Sequence, residues 1–203
     1  MTEYEKMISG NLYRASKIDA EHSSKRGRAL ADQINKLARV NTDEIVSLER
    51  DLLGKSGAEL FINPPLYVDY GFNIEVGENF YANMDCIFLD VAPIIFGDDV
   101  MVGPRVNFIT ATHPLDAGVR VRGLELGQKI TIGNRVWIGA AAVINPGVTI
   151  GDNVIIGSGA VVTKDIPAGV IAVGNPARIL RKLTEEDRLF WEKKERDYYE
   201  VDD

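Results

Sequence analysis

The chain has 203 residues, 45% of them hydrophobic, enough for a sizeable core in one domain with a small appendage or in two closely packed units. A formal net charge of −7 argues against general nucleic-acid binding, which leaves a basic footprint, yet still allows a local cationic patch for an anionic cofactor. A single cysteine, Cys86, excludes a disulfide framework within the chain, and no apolar run approaches the roughly 18 residues of a membrane span. The expectation is a soluble, cytoplasmic protein that touches neither nucleic acid nor membrane.

The opening "MTEYEKMISG" mixes acidic and basic residues and has no apolar core, so no secretory signal is expected. From Met1 to about Lys55 the pattern is helical, in "KRGRALADQINKLARV" and then "NTDEIVSLERDLLG", and His22 falls in this part. Asn41 or Thr42 can cap the second of these helices, Asp43 and Glu44 lie in its first turn, and Gly54 closes it. The proline-marked "FINPPLYVDYGFN" then leads, extended, into a different kind of sequence.

That region is periodic. A looser pattern comes first, with Val76, Ala82, Phe88 and Ile94 in steps of six, then a slip of two to Phe96, Val102 and Phe108. From Ile132 the period is strict: Ile138, Ile144, Ile150, Ile156 and Val162 follow in sixes. Four residues after each aliphatic stands a small or β-branched residue, from Val136 and Ala142 to Ile166. Neither helical periodicity nor strand alternation yields a period of six, whereas a parallel β-helix of hexapeptide repeats does. Each aliphatic would point inward and stack on its equivalent one coil away, at about 4.8 Å. Gly133, Gly139, Gly151 and Gly157 follow four of these aliphatics and read as corner residues with positive φ. Cys86 falls in the small inward class and reads as a core thiol, not a nucleophile.

Between the repeat blocks, "HPLDAGVRVRGLELGQK" (113–129) breaks the period, and it opens with the second of only two histidines, His113. It reads as an ordered arm projecting from one coil. The end of the chain, "LTEEDRLFWEKKERDYYE", reads as a helix capped by Thr184, with Leu189, Phe190 and Trp191 plugging the open end of the coil. The organisation expected is therefore a helical segment at 1–57, a β-helix at 58–182 with its arm at 113–129, and a C-terminal helix at 183–203.

Nearly end to end, in "EKMISGNLYRA", "DYGFNIEVGENFYANMDCIFLDVAPI", "TATHPLD", "ITIGNRVWIGAAAVINPGVTIGDNVIIGSGAVVTKDIP" and "GNPARIL", the chain resembles the maltose and galactoside O-acetyltransferases, closest to the maltose branch. The resemblance implies a mainly β fold, a left-handed parallel β-helix, although parallel β crossovers are otherwise right-handed. It also implies transfer of an acetyl group from acetyl-CoA to a sugar hydroxyl by a homotrimer whose active sites lie between subunits.

A sugar hydroxyl is a weak nucleophile at neutral pH, so its proton must leave as it attacks the thioester. Imidazole is matched to that task. By the resemblance His113 is the general base, with Glu125 as the candidate to orient it. The tetrahedral oxyanion needs a preplaced donor, which the resemblance puts at the backbone amide of Ala140, where some relatives carry serine. By the resemblance Asn83 lies beside the acceptor and can donate to sugar or oxyanion; the alternative is a corner asparagine of the coil. Asp69, Asp90, Tyr13 and Arg14 are the acceptor-binding candidates. Tyr13 and Arg14 have the alternative of packing the helical segment against the coil.

For CoA, the pantetheine arm can pair along the coil edge as an added strand, over Trp137, Gly139, Ala140 and Ser158. The phosphates would meet Thr163, Lys164, Arg178 and Arg181. No serine or cysteine has the setting of an activated nucleophile, so direct transfer in a ternary complex is expected, with no metal. A zinc site of the kind that shares this fold would need three histidines, and the repeat region supplies one. Transfer to a non-sugar or oligosaccharide hydroxyl, and a scaffold without catalysis, are the alternatives.

Overall fold

The computed structural model describes residues 1–201, so the last two residues of the expected C-terminal helix lie outside the described residues. Three helices come first: α1 (Glu3–Ile8), α2 (Lys25–Lys36) and α3 (Thr42–Leu52). Asn41 sits at the cap position of α3 but makes no side-chain capping bond, and His22 lies in a turn before α2, outside the helices.

Then the chain winds. Coil one is β1 (Leu60–Ile62), β2 (Leu66–Val68) and β3 (Ile74–Glu75); coil two is β4 (Phe80–Ala82), β5 (Cys86–Leu89) and β6 (Ile94–Phe96). Coil three has β7 (Met101–Val102) and β8 (Asn107–Ile109). It is interrupted by the arm, with β9 (Ala111–Thr112), α4 (Ala117–Arg120) and β10 (Leu126–Gly127), and closes with β11 (Ile130–Ile132). Coil four is β12 (Trp137–Ile138), β13 (Val143–Ile144) and β14 (Thr149–Ile150), and coil five begins with β15 (Ile155–Ile156) and β16 (Val161–Val162). A terminal hairpin, β17 (Val170–Val173) and β18 (Arg178–Lys182), precedes α5 (Glu185–Val201). No helix among the described residues is long and apolar enough to cross a membrane.

Equivalent strands of successive coils pair in parallel, which makes three faces. The first runs β1-β4-β7-β12-β15-β17-β18, the second β2-β5-β8-β13-β16 and the third β3-β6-β11-β14. This is the left-handed β-helix fold class, and the period of six is its direct cause: one strand and one corner per repeat. The inward columns are continuous, as in Ala82, Val102, Ile138, Ile156 and Ala172 on the first face. Every one of these is buried. In coils two and three phenylalanines replace aliphatics on the axis, with Phe88 stacked on Phe108 at 5.3 Å and Phe96 edge-on to Phe108 at 4.9 Å. Cys86 lies over Leu66 in the core, and burial pushes its thiol up to about 11.

The glycines after the aliphatics have a different cause from the one expected. Positive φ falls two residues later, at Arg135, Ala141, Gly147, Asn153 and Gly159. Gly139 is required by crowding: a Cβ there would stand 2.6 Å from the Ser158 nitrogen of the next coil. The residue after such a glycine laces the coils together, with Asp98 N donating to Asn134 Oδ1 and Asn134 N to Asp152 Oδ1.

The two ends of the coil are finished differently. At the start, α2 and α3 cover the first coil, and side chains satisfy its open edge: Asn35 exchanges two hydrogen bonds with the backbone of Leu66, and Glu49 Oε1 accepts from Ile62 N. At the far end, β18 turns back antiparallel on β17 and ends the parallel stacking. Thr184 caps α5 as expected, accepting from Asp187 N while the Asp187 carboxylate accepts from Thr184 N. The plug does not form. Leu189, Phe190 and Trp191 are 51%, 55% and 67% exposed, on a helix that follows the β17–β18 hairpin.

Candidate active site

The departures from the period all fall at one corner, between the second and third faces. Val68 to Val76 and Phe88 to Phe96 are each steps of eight instead of six, and the two extra residues of each fall within the enlarged corners 69–73 and 90–93. One coil further on, the same corner emits the arm that begins at His113. Three enlarged corners stacked in register build a site where regular coils would leave a smooth edge.

Asp90 is the centre of that stack, fully buried, and not open to a ligand as expected from the sequence. Its Oδ1 accepts from Asp69 N at 3.0 Å and Tyr70 N at 2.8 Å, its carbonyl accepts from Asn73 Nδ2, and burial pushes its carboxyl up to about 6. Oδ2 has no partner among the described residues. Thr110 continues the stack, accepting from Ala92 N and donating to the Leu89 carbonyl.

The arm is ordered. β9 and β10 pair antiparallel, and the N-terminal segment joins them through reciprocal bonds between Tyr13 and Glu125. Tyr13 is buried, and its hydroxyl donates to Glu125 Oε2 at 3.1 Å; burial, then the Glu125 charge, hold that hydroxyl well above its ordinary pKa. Glu125 is therefore engaged by Tyr13, and the His113 ring, exposed, forms no hydrogen bond with any described residue. Arg14 donates to the Arg122 carbonyl and its amide to Glu3, the packing alternative. Above the Asp69 corner a cleft of about 390 Å³ opens, lined by Tyr13, Asp69, Tyr70, Val91 and Glu125. Helix α2 adds Arg28, whose Nη2 donates to Asp69 Oδ1 at 2.6 Å. Sequence reading missed Arg28, since nothing in its helical setting marks it.

A second groove, of about 330 Å³, follows the corner between the first and second faces. Asn83, Trp137, Gly139, Ala140 and Ser158 line it together. Asn83 Oδ1 accepts from Met84 N, which leaves its Nδ2 donors for a ligand. The Ala140 and Ser158 amides donate to no other described residue, so the groove presents two unpaired backbone N–H groups beside the exposed ring of Trp137. That chemistry fits an extended amide-bearing arm, and a carbonyl oxygen acquiring charge.

The cationic residues do not form one patch within the chain. Arg178 stands beside Val173, near the Ser158 corner, whereas Thr163 and Lys164 follow β16 at the corner that carries Asp69 in the first coil. Arg181 is tied to Asp187 by two hydrogen bonds, 2.6 and 2.9 Å. Asp19, Glu21 and His22 come together on a turn, where His22 Nδ1 lies 2.8 Å from Asp19 Oδ1 and the ring stacks on Tyr4.

Comparison with known proteins matches the bacterial transferase hexapeptide (six repeats) over residues 129–164 and the maltose acetyltransferase hexapeptide capping motif over residues 6–57. A maltose O-acetyltransferase from Clostridium difficile 630 is 46% identical and superposes with a TM-score of 0.87 over 91% of this chain and 99% of its own. A galactoside acetyltransferase solved in complex with coenzyme A is 37% identical, with a TM-score of 0.86 over 93% of this chain and 94% of its own. Nodulation protein L of Rhizobium meliloti (strain 1021) is 43% identical across 88% of this chain and 97% of its own length.

Proposed function

The chain belongs to the maltose and galactoside O-acetyltransferase family, acyltransferases that use acetyl-CoA, and on that premise we propose that it acetylates a hydroxyl of a sugar such as maltose or glucose. One observation carries the reading: a groove with unpaired backbone donors and a cleft rich in polar side chains occupy neighbouring corners of one prism. The groove suits the pantetheine arm, with Trp137 as its wall, and Arg178, beside Val173 at the same corner, is the cation proposed to meet a phosphate.

In the proposed reaction His113 takes the proton from the acceptor hydroxyl as its oxygen bonds to the acetyl carbon. The Ala140 amide, and Asn83 beside it, donate to the carbonyl oxygen as it gains charge. The bond to sulfur then breaks and the proton passes from His113 to the departing thiolate. Acetyl transfer is direct; the nearest thiol, Cys86, is buried and spends its hydrogen on the Asn83 carbonyl. Glu125 serves by holding Tyr13 and the arm from which His113 projects.

His113 and Ala140 belong to different corners, with the second face between them. The centre is therefore proposed to form between subunits of a homotrimer. The surfaces support this: outward on the first face, in register, stand Phe61, Tyr81, Met101, Trp137, Ile155 and Ile171. The outward positions of the third face, Glu75, Ile95, Thr131 and Thr149, are more polar. An apolar ladder flanking the groove favours cover by a second copy. The cytoplasm is the proposed setting, consistent with a lone thiol that has no disulfide partner.

The test is thiol release from acetyl-CoA with maltose, glucose, a β-galactoside and serine as separate acceptors, for wild type and His113→Ala. Sugar-dependent release that falls at least about a hundredfold in the variant supports the reading. Release with serine alone would replace the substrate class, and no turnover of any acceptor would favour a scaffold.

A further inference from the structure

We propose that Arg28 of α2 and Asp69 form an acceptor-recognition pair: a donor edge and an acceptor edge for adjacent hydroxyls of an uncharged sugar, which sets preference against acidic sugars. The proposal rests on the sugar-acetylation reading above and adds the residue that selects among sugars.

Three features of the structure lead to it. Arg28 and Asp69 both line the cleft, and their contact at 2.6 Å joins a helix to a coil corner 41 residues away. The two side chains are unequally exposed, 61% for Arg28 and 18% for Asp69, so the carboxylate is pinned while the other guanidinium N–H groups stay open. Their relative position is also set by backbone packing on both sides. Asp90 holds the Asp69 amide from beneath. Next to Arg28, Gly27 lies so close to the corner that a Cβ would stand 1.9 Å from the Tyr70 carbonyl oxygen. That contact seats the α2 backbone on the corner and so sets where Arg28 leaves the helix beside Asp69.

The chemistry follows from what each group can offer. Guanidinium only donates, an ionised carboxylate only accepts, and a sugar hydroxyl does both. One hydroxyl of a neighbouring pair can donate to the free Asp69 oxygen while the next accepts from Arg28. Together the two charges cancel, which suits an uncharged polyol. A sugar carboxylate would meet Asp69 and Glu125 across the cleft, with the Arg28 charge already spent on Asp69. Removal of Asp69 would leave that cation uncompensated and reverse the preference.

The experiment compares acetyl transfer to maltose and to a glucuronic acid glycoside for wild type, Arg28→Gln, Asp69→Ser and the double variant. Arg28→Gln is expected to raise the maltose KM about tenfold, the cost of losing a charged hydrogen bond, with kcat and the acetyl-CoA KM little changed. Asp69→Ser is expected to raise the ratio of kcat/KM for glucuronide over maltose at least about tenfold, and adding Arg28→Gln should erase that gain. A wild-type maltose KM in a folded Arg28→Gln, or an unchanged ratio in Asp69→Ser, overturns the pair while leaving sugar acetylation standing. If Arg28→Gln does not fold, the ratio in Asp69→Ser decides, because a ratio is independent of the fraction folded. A wild type that acetylates no sugar removes the underlying reading and the pair with it.

Discussion

Asp90 holds Asp69 from inside the coil: a carboxylate with no exposure to solvent accepts from the amides of Asp69 and Tyr70, two residues that line the cleft above that corner. Asp90→Ala should leave the Tyr70 amide unpaired, at a cost of about 1–3 kcal/mol, while the Asp69 amide keeps its 3.2 Å bond to the Phe88 carbonyl. The acceptor KM is expected to rise about tenfold or more, with the acetyl-CoA KM unmoved. Asp90→Asn keeps an acceptor oxygen and should lie near wild type. Steady-state kinetics with each substrate varied in turn checks the split, and equal kinetics for Asp90→Ala and wild type would show that the corner holds its shape without this carboxylate.

Glu49 gives the start of the coil a pH dependence. It is fully buried, its Oε2 has no partner among the described residues, and burial pushes its carboxyl from an ordinary 4.5 up to about 8. Below about pH 4.5 both folded and unfolded chains hold the proton. Between there and pH 8 only the folded chain does, so the contribution to stability is lost as pH rises through that window. Thermal unfolding at pH 5, 7 and 9 should show Glu49→Gln gaining on wild type as pH increases. Parallel curves for the two proteins would sink the idea.

Gly139 and Gly159 separate two uses of glycine. A Cβ at Gly139 would press on the Ser158 nitrogen of the next coil, whereas Gly159, at φ 70, has nothing within 4 Å. Gly139→Ala should destabilise by about 1–3 kcal/mol or more through overpacking, and should also raise the acetyl-CoA KM. Gly159→Ala should cost about 1–2 kcal/mol, for its backbone conformation alone, with that KM unchanged. Urea unfolding paired with CoA titration tells them apart.

Arg178 and Arg181 lie in one strand but should behave differently. Arg181→Ala frees Asp187, whose carboxyl Arg181 and the Thr184 amide hold well below the usual range, and should loosen the cap of α5 with little effect on CoA affinity. Arg178→Ala should raise the acetyl-CoA KM several-fold, by losing about 0.5–1.5 kcal/mol of phosphate contact. Equal KM effects from both substitutions would return Arg181 to the phosphate site.

Much of this protein was legible before any coordinates. A period of six over many repeats admits few folds, because the inward aliphatic must recur once per strand; Ile132 to Val162 therefore specified the coil and its core. Cys86 could be read as core from its place in that period, and the slip at Ile94 to Phe96 already marked the enlarged corner. What the period could not supply was any relation between residues that it does not connect. Asp90 reads as a ligand from its carboxylate chemistry and its place on the coil that matches Asp69, whereas its side chain follows the inward alternation of Cys86 and Phe88 and lies beneath Asp69. Glu125 and Tyr13, and Arg28 and Asp69, meet because the N-terminal segment crosses the corner at a distance no local pattern encodes. The aromatic residues of α5 read as a plug, yet they stand exposed after the β17–β18 hairpin. The local sequence specified the repeating unit, since its energetics are contacts between neighbouring coils. Tertiary structure alone decided the site, where packing of distant segments sets which polar groups meet.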